Sequence, residues 1–167
     1  MNIENKYQDL KYTSLVNDIL YHQEFLKTKN ICHHGLNRYE HCVRVSYYSY
    51  KIAKILHLDY EKTARAGLLH DFFLENKENK RKKDKIKILL NHPKKALSTS
   101  KKYFNITQKE EDIILSHMFP IGLRTPKYLE SWIVAIVDDI MAIYEEIFIK
   151  SKQLKYAYNF LLIFLKI

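Results

Sequence analysis

Glycine and proline are scarce in this chain: three of each occur among 167 residues. Hairpins and tight turns depend on these two residue types, because glycine adopts positive φ angles and proline presets the turn conformation. A sandwich or barrel of many short strands would need more of both. The scarcity therefore predicts an all-α fold, a compact set of helices joined by short loops.

The length predicts one domain over residues 1–167, since about 100–200 residues is the usual domain size. The 47% hydrophobic and 28% charged residues are near the globular average. Two cysteines, Cys32 and Cys42, are too few for a disulfide framework and favour a reducing compartment. The polar start and the lack of a long apolar run predict no signal peptide and no membrane insertion, and hence a cytoplasmic protein. A terminal helix lying on a membrane surface is the lesser alternative.

The net charge of +9 comes in large part from one lysine-rich segment, residues 76–85. Arginine, which reads bases and phosphates with its planar fork, occurs only five times. We therefore predict a solvated charged loop at 76–85 and do not expect a nucleic-acid partner. The alternative is a basic surface that attracts anionic, phosphate-bearing ligands.

Capping signals and apolar spacing predict the helices. Asn37 and Asp59 are the expected caps of two of them, and a capping box spans Thr107–Glu110. His41, Val45, Tyr48, Ile52 and Ile55 recur at helical spacing and are the predicted buried stripe of the helix after Asn37. The remaining predicted helices are Tyr7 to Leu26, 86–90, Pro93 to Tyr103 or Phe104, Tyr128 to about Phe148, and a packing helix from about Lys152 to Leu165.

Four of the eight histidines stand at conspicuous positions of these helices. His41 and His92 lie at predicted helix starts, His117 lies at a helix end, and His70 directly precedes Asp71. Taken singly, each is an ordinary polar residue at a helix end. Together, imidazole and carboxylate groups are the ligands that suit first-row divalent metals.

Asp138 follows the apolar run Ile133–Val137 in the most apolar predicted helix. A buried carboxylate is costly unless a cation compensates its charge, and no lysine or arginine lies within one turn. A bound metal ion would compensate the charge of this carboxylate. The alternative is that Asp138 and Asp139 lie on a helix face turned to water.

The order His41, His70-Asp71, Asp138 resembles the H…HD…D signature of the HD-domain metal-dependent phosphohydrolases. The segments Arg38–His41 and Gly67–Asp71 are also similar to that family, and the resemblance covers about residues 35–145. It implies an all-α domain in which these four residues bind a divalent metal.

Members of the family with two metals have two further histidines between the doublet and the last aspartate, and His92 and His117 match them in order. The nearest pattern is that of bacterial HD proteins that split diadenosine tetraphosphate. The resemblance then implies two ions per chain, iron, manganese or similar, with Asp71 as a bridge. His41, His70 and Asp138 would hold one ion, and His92 and His117 would hold the other.

The implied function is a metal-dependent phosphohydrolase that attacks a phosphoester or phosphoanhydride of a nucleotide or related small phosphate. Asp71 and Arg38 are the predicted catalytic residues, and Arg38 and His34 are the predicted substrate contacts, with His34 as a candidate proton donor. The alternative for Arg38 is an exposed arginine at a helix start. The alternative function is a metal-binding HD domain with a regulatory role. Homodimerisation is left open.

Two positions depart from the family pattern. Many relatives place a lysine near Glu75, and a lysine often stands where this chain has Asp139. Both changes remove a candidate phosphate contact, so they bear on the substrate more than on the metal ligands.

Overall fold

The computed structural model describes residues 9–33, 36–74 and 82–164, with side chains except at 32, 33, 36, 82–89, 153 and 155–164. A 3₁₀ turn (Lys27–Asn30) and a pair of antiparallel two-residue strands, β1 (Cys32–His33) and β2 (Leu36–Asn37), lie between the second and third helices. The all-α prediction is confirmed. The helices of the described residues are α1 (Leu10–Leu20), α2 (Gln23–Leu26), α3 (Arg38–Ile55), α4 (Tyr60–Leu69), α5 (Lys82–Tyr103), α6 (Gln108–Ser116) and α7 (Leu129–Phe164).

Three predicted helix starts are confirmed by their caps. The Asn37 side chain accepts a hydrogen bond from the backbone N–H of Glu40 at 2.8 Å, and Asp59 accepts one from Lys62 at 3.2 Å. Thr107 begins α6 with the reciprocal capping box. These local contacts satisfy backbone N–H groups that have no partner within the helix.

Two predicted helix boundaries are wrong: the end of the first helix and the start of the helix after the charged segment. The first helix ends at Leu20 rather than Leu26, because His22 accepts a hydrogen bond from the backbone N–H of Glu24 and caps the separate helix α2. The prediction for Tyr7 lies outside the described residues. Residues 82–85, predicted as part of the charged loop, begin α5.

The sequence predicts that Pro93 begins a helix, and this prediction is wrong. Pro93 lies inside α5. A proline in a helix interior removes one backbone hydrogen bond. Pro93 and His92 are both buried, and the packing of this segment offsets that loss. His92 therefore projects from the middle of a helix rather than from its start.

The two predicted C-terminal helices are one continuous helix, α7. Neither glycine nor proline occurs between residues 129 and 164, so no helix-terminating signal lies at the predicted break. At 36 residues, α7 is about 54 Å long. Among the described residues, no helix combines the length and apolar content that a membrane crossing requires.

The predicted buried stripe of α3 is correct only at its beginning. His41 and Val45 are fully buried, but Tyr48, Ile52 and Ile55 are 40%, 39% and 72% exposed. The buried face of the second half of α3 consists instead of Ser46, Ser49, Tyr50 and Ala53. Small residues dominate this face because α4 packs closely against it.

The close packing of α3 on α4 depends on Gly67. A Cβ atom at this position would lie 2.9 Å from the Cα atom of Ser46, which is closer than real contacts allow. Because the two helix backbones approach here, the end of α4 lies beside the first turn of α3. The rings of His41 and His70 consequently lie 5.4 Å apart between centroids.

Candidate metal centre

The fold brings the six predicted metal ligands together from five separate chain segments. Each ligand except Asp138 is at most 3% exposed, and the Asp138 side chain is 13% exposed. Their candidate ligand atoms form three overlapping triads, within which all atoms lie within 4.8 Å of one another. The triads are His41–His70–Asp71, His70–His117–Asp138 and Asp71–His92–His117.

His70 and His117 are oriented in the same way, each directly after the end of a helix. The Nδ1–H of His70 donates to the carbonyl of Gly67 at 2.8 Å, and that of His117 donates to the carbonyl of Ile114 at 2.8 Å. The last carbonyls of a helix have no partner within it, so a ring three residues later can satisfy one. This hydrogen bond leaves Nε2 of both rings directed at the centre, an arrangement typical of metal-binding histidines.

His92, from the middle of α5, meets His117 and Asp71. The two histidine Nε2 atoms lie 2.7 Å apart, and His92 Nε2 lies 3.1 Å from Asp71 Oδ1. Burial, reinforced by the neighbouring His92 and His70, lowers the pKa of His117 to about 3. His117 is therefore neutral at physiological pH, with an Nε2 lone pair available as a ligand.

His41 lies between two carboxylates of α7. Its Nε2 is 2.8 Å from Asp138 Oδ1, and its Nδ1 is 3.0 Å from Glu145 Oε2. Burial by itself would lower the pKa of His41, but hydrogen bonds to both carboxylates and their charges raise it to about 10. The pKa of Asp138 moves the other way: burial would raise it, and the charge of His70 and the hydrogen bond from His41 hold it well below its usual range. A proton on His41 thus compensates the buried carboxylates in the metal-free protein.

Arg38 is 1% exposed, so the alternative of an exposed arginine at a helix start is wrong. Its Nε lies 3.7 Å from Asp71 Oδ2, and its guanidinium stacks 3.7 Å above the ring of Phe73. It also donates a hydrogen bond to the carbonyl of Phe73. The ring of His92 also stacks on Phe73, with the two ring centroids 5.4 Å apart. Arg38 therefore fixes the segment that carries Asp71.

Sequence reasoning missed Glu145, which is fully buried and holds Nδ1 of His41. Arg44 pairs with Glu145 and donates a hydrogen bond to Glu40 at 3.1 Å. The spacing could have indicated this residue. Glu145 follows Asp138 by seven residues, which is about two helical turns, so both side chains lie on the same face of the helix. Burial would raise the pKa of Glu145, but His41 and Arg44 lower it, so the carboxylate is charged.

The residues fit a divalent metal. The buried Nε2 of His70 lacks a hydrogen bond within the described residues, although Asp138 Oδ1 lies 3.4 Å away. A polar atom in this situation is costly unless a further group binds it. Asp71 belongs both to the triad with His41 and to the triad with His92, as a bridge between two ions would require. Imidazole and carboxylate donors of this kind suit iron, manganese and similar ions.

Two residues singled out in the sequence remain to be placed, His34 and Asp139. His34 lies outside the described residues, so its role as a substrate contact or proton donor stays a prediction. Asp139 is exposed and faces away from the cluster, whereas its neighbour Asp138 faces it. The alternative in which both aspartates face water is therefore wrong for Asp138.

Comparison with known proteins gives one finding. The family model described as HD domain matches residues 38–143. This range contains all six clustered residues and ends two residues before Glu145. No curated protein and no solved structure matches the chain.

Proposed function

Since this chain belongs to the HD domain family, a superfamily of metal-dependent phosphohydrolases, we propose that it hydrolyses a phosphoester or phosphoanhydride bond of a small phosphorylated compound. A nucleotide is the proposed substrate class, and the dinucleoside polyphosphates are its first candidates. The observation that carries the proposal is the sharing of Asp71 between two buried triads. An aspartate placed in this way supports a centre for two ions rather than one.

The proposed ligands of the two ions are those that the resemblance to the two-metal members of the family implies. His41, His70 and Asp138 would hold one ion, His92 and His117 would hold the other, and Asp71 would contact both. Divalent ions held there would generate a nucleophile from water near neutral pH and would neutralise charge on the phosphoryl oxygens.

The other residues around the cluster hold the ligands in place. Nδ1 of His41 is held by Glu145, and Nδ1 of His70 and His117 by backbone carbonyls. The burial of Arg38 and its contacts with Asp71 and Phe73 favour a positioning role over the direct phosphate contact that the sequence predicts. The guanidinium of Arg38, 3.7 Å from Asp71 Oδ2, also orients that carboxylate.

The proposal is tested by metal analysis of the purified protein followed by phosphate-release assays. The panel contains nucleoside mono-, di- and triphosphates and dinucleoside polyphosphates, each with added Mn²⁺ or Fe²⁺ and with a chelator. Metal-dependent release from a member of the panel is the expected result. Tight metal binding with no turnover on any member would favour the regulatory alternative.

Glu145→Leu is expected to weaken metal binding by about 10–100-fold, because a ligand histidine loses the group that orients it. Glu145→Gln should lose less, since its amide oxygen can still accept from Nδ1 of His41. Competition titration with a metal indicator measures the affinity, and turnover should return at saturating metal. Glu146→Gln, on the adjacent exposed residue, is the matched control. Equal affinity in Glu145→Leu and the wild type would contradict the positioning role.

Metal binding is expected to strengthen as the pH rises. The pKa of His41 is raised to about 10 in the metal-free protein, so near pH 7 a metal ion must displace its proton. His117, with a pKa lowered to about 3, releases none. Calorimetric titrations in two buffers of different ionisation enthalpy should therefore show proton release on binding. An affinity independent of pH, without proton release, would contradict this expectation.

A further inference from the structure

The outward face of α7 carries an apolar stripe, and we propose that two copies of this chain associate through it. The successive separations along the stripe are 7, 4, 3, 4 and 7 residues, which is the spacing of a heptad pattern. Each member is between 52% and 73% exposed. The stripe consists of Leu129, Ile136, Ile140, Ile143, Ile147 and Leu154.

The stripe lies opposite the metal centre on the same helix. Ile136 and Ile140 lie two residues before and after Asp138, and two residues turn a helix by about 200°. Asp138 and Glu145 face the body of the protein, where Val134 is also buried. The side of α7 that carries the stripe is therefore turned away from the packed helices.

Three aromatic side chains widen the stripe. Tyr144 and Phe148 stack on each other at 6.2 Å with an interplanar angle of 16°, and they are 55% and 37% exposed, with Trp132 at 38%. The six side chains of the stripe and these three aromatic side chains together expose on the order of 900 Å² of apolar surface. Monomeric proteins rarely expose so much in one patch, and a stable interface buries roughly 800 Å² per partner. The area thus matches what a dimer needs.

The exposed charges beside the stripe are of both signs, which favours a second copy over an anionic lipid surface. Asp139 and Glu146 are exposed along its first part, and Lys150 is exposed near its end, where it pairs with Glu146 at 2.7 Å. Helices that lie on membranes carry lysine and arginine on their polar face, and anionic lipids repel acidic side chains. Exposed Asp139 and Glu146 directly precede the stripe residues Ile140 and Ile147, respectively.

A second copy offers the same Leu/Ile stripe, and a two-fold axis places the stripe against its equivalent. Such an interface is self-complementary because apolar side chains face apolar side chains from Leu129 to Ile147, before Lys150 interrupts the heptad pattern. The metal centres then lie on the outer side of each α7, away from the interface. Dimerisation therefore leaves both sites open.

Sedimentation velocity of the full chain tests this inference. The wild type should sediment as a dimer across the micromolar range, and Ile140→Lys/Ile147→Lys should sediment as a monomer. The control Leu10→Lys/Ile55→Lys changes two residues that are 88% and 72% exposed but lie on α1 and α3, and it should remain a dimer. Circular dichroism melts establish that each variant is folded.

Three results would overturn the inference: a monomeric wild type, a stripe variant that still dimerises, or a control variant that dissociates. Flotation with phosphatidylcholine–phosphatidylglycerol vesicles is run in parallel. Binding of a monomeric wild type to the vesicles, lost in the stripe variant, would assign the stripe to a lipid surface instead. None of these measurements depends on hydrolysis, so the outcome is independent of the proposed function.

Discussion

Replacing Asp71 by asparagine is expected to abolish metal binding and hydrolysis together while the chain stays folded. The side chain lies within both the His41 and the His92 triads, and an amide is a far poorer ligand for a divalent ion than a carboxylate. Asparagine retains the size and part of the hydrogen bonding of aspartate. Elemental analysis and the phosphate-release assay measure the two losses, and added metal should no longer raise the melting temperature.

Asp71→Ala is expected to remove the metal as well, and to cost stability besides. The carboxylate faces the buried guanidinium of Arg38 at 3.7 Å, and breaking a buried charge pair costs on the order of 3 kcal/mol. Asp139→Asn removes an exposed carboxylate next to Asp138 and is the matched control, with metal content and melting temperature unchanged. Full metal content in Asp71→Asn would show that the clustered residues do not form the centre.

The double variant His92→Ala/His117→Ala is expected to bind about one metal ion per chain where the wild type binds about two. Both histidines belong to the triad with Asp71 that contains neither His41 nor His70, and the double variant changes none of the proposed ligands of the first ion. Hydrolysis should be largely lost, because a two-ion centre stabilises both the attacking and the leaving oxygen. Elemental analysis and steady-state kinetics measure these effects.

His57→Asn is the control for the double variant, since His57 is exposed and has a positive φ of 55°, which asparagine tolerates. It should retain both ions and full turnover. If the double variant keeps its full metal content and near-normal turnover, the centre holds one ion. Such a result would contradict the proposed similarity to the diadenosine tetraphosphate hydrolases, which depends on two ions.

Much of the site could be predicted from the sequence because several of the proposed ligands stand at helix ends, where local signals are strong. His41 follows the cap Asn37, and His70 and His117 follow the last residues of α4 and α6. Asp138 was recognisable as a carboxylate in an apolar helix that needed a distant cation. The structure brings these residues together with His92, and their role in metal binding stays a prediction until metal is measured.

The residues that support the ligands could not be found in the same way. The spacing places Glu145 on the same face of the helix as Asp138, but only the packing of α7 on α3 shows that it is buried against His41. Arg38 was visible as a residue on the same face as His41, but its burial against Phe73 depends on where the chain runs after α4. Contacts between residues far apart in sequence decide both cases.

The sequence by itself determined the fold class, three helix caps and the candidate ligands, because glycine content, capping hydrogen bonds and helical spacing are local properties. Tertiary structure decided which faces are buried and where helices end. Pro93 remains inside α5 because buried packing outweighs one lost hydrogen bond, and α7 continues through the predicted break between Phe148 and Lys152. Tyr48, Ile52 and Ile55 of α3 are exposed because α4 packs through Gly67 on a different face of α3, the one that carries Ser46. Burial depends on what lies opposite in space, which apolar spacing along one helix does not record.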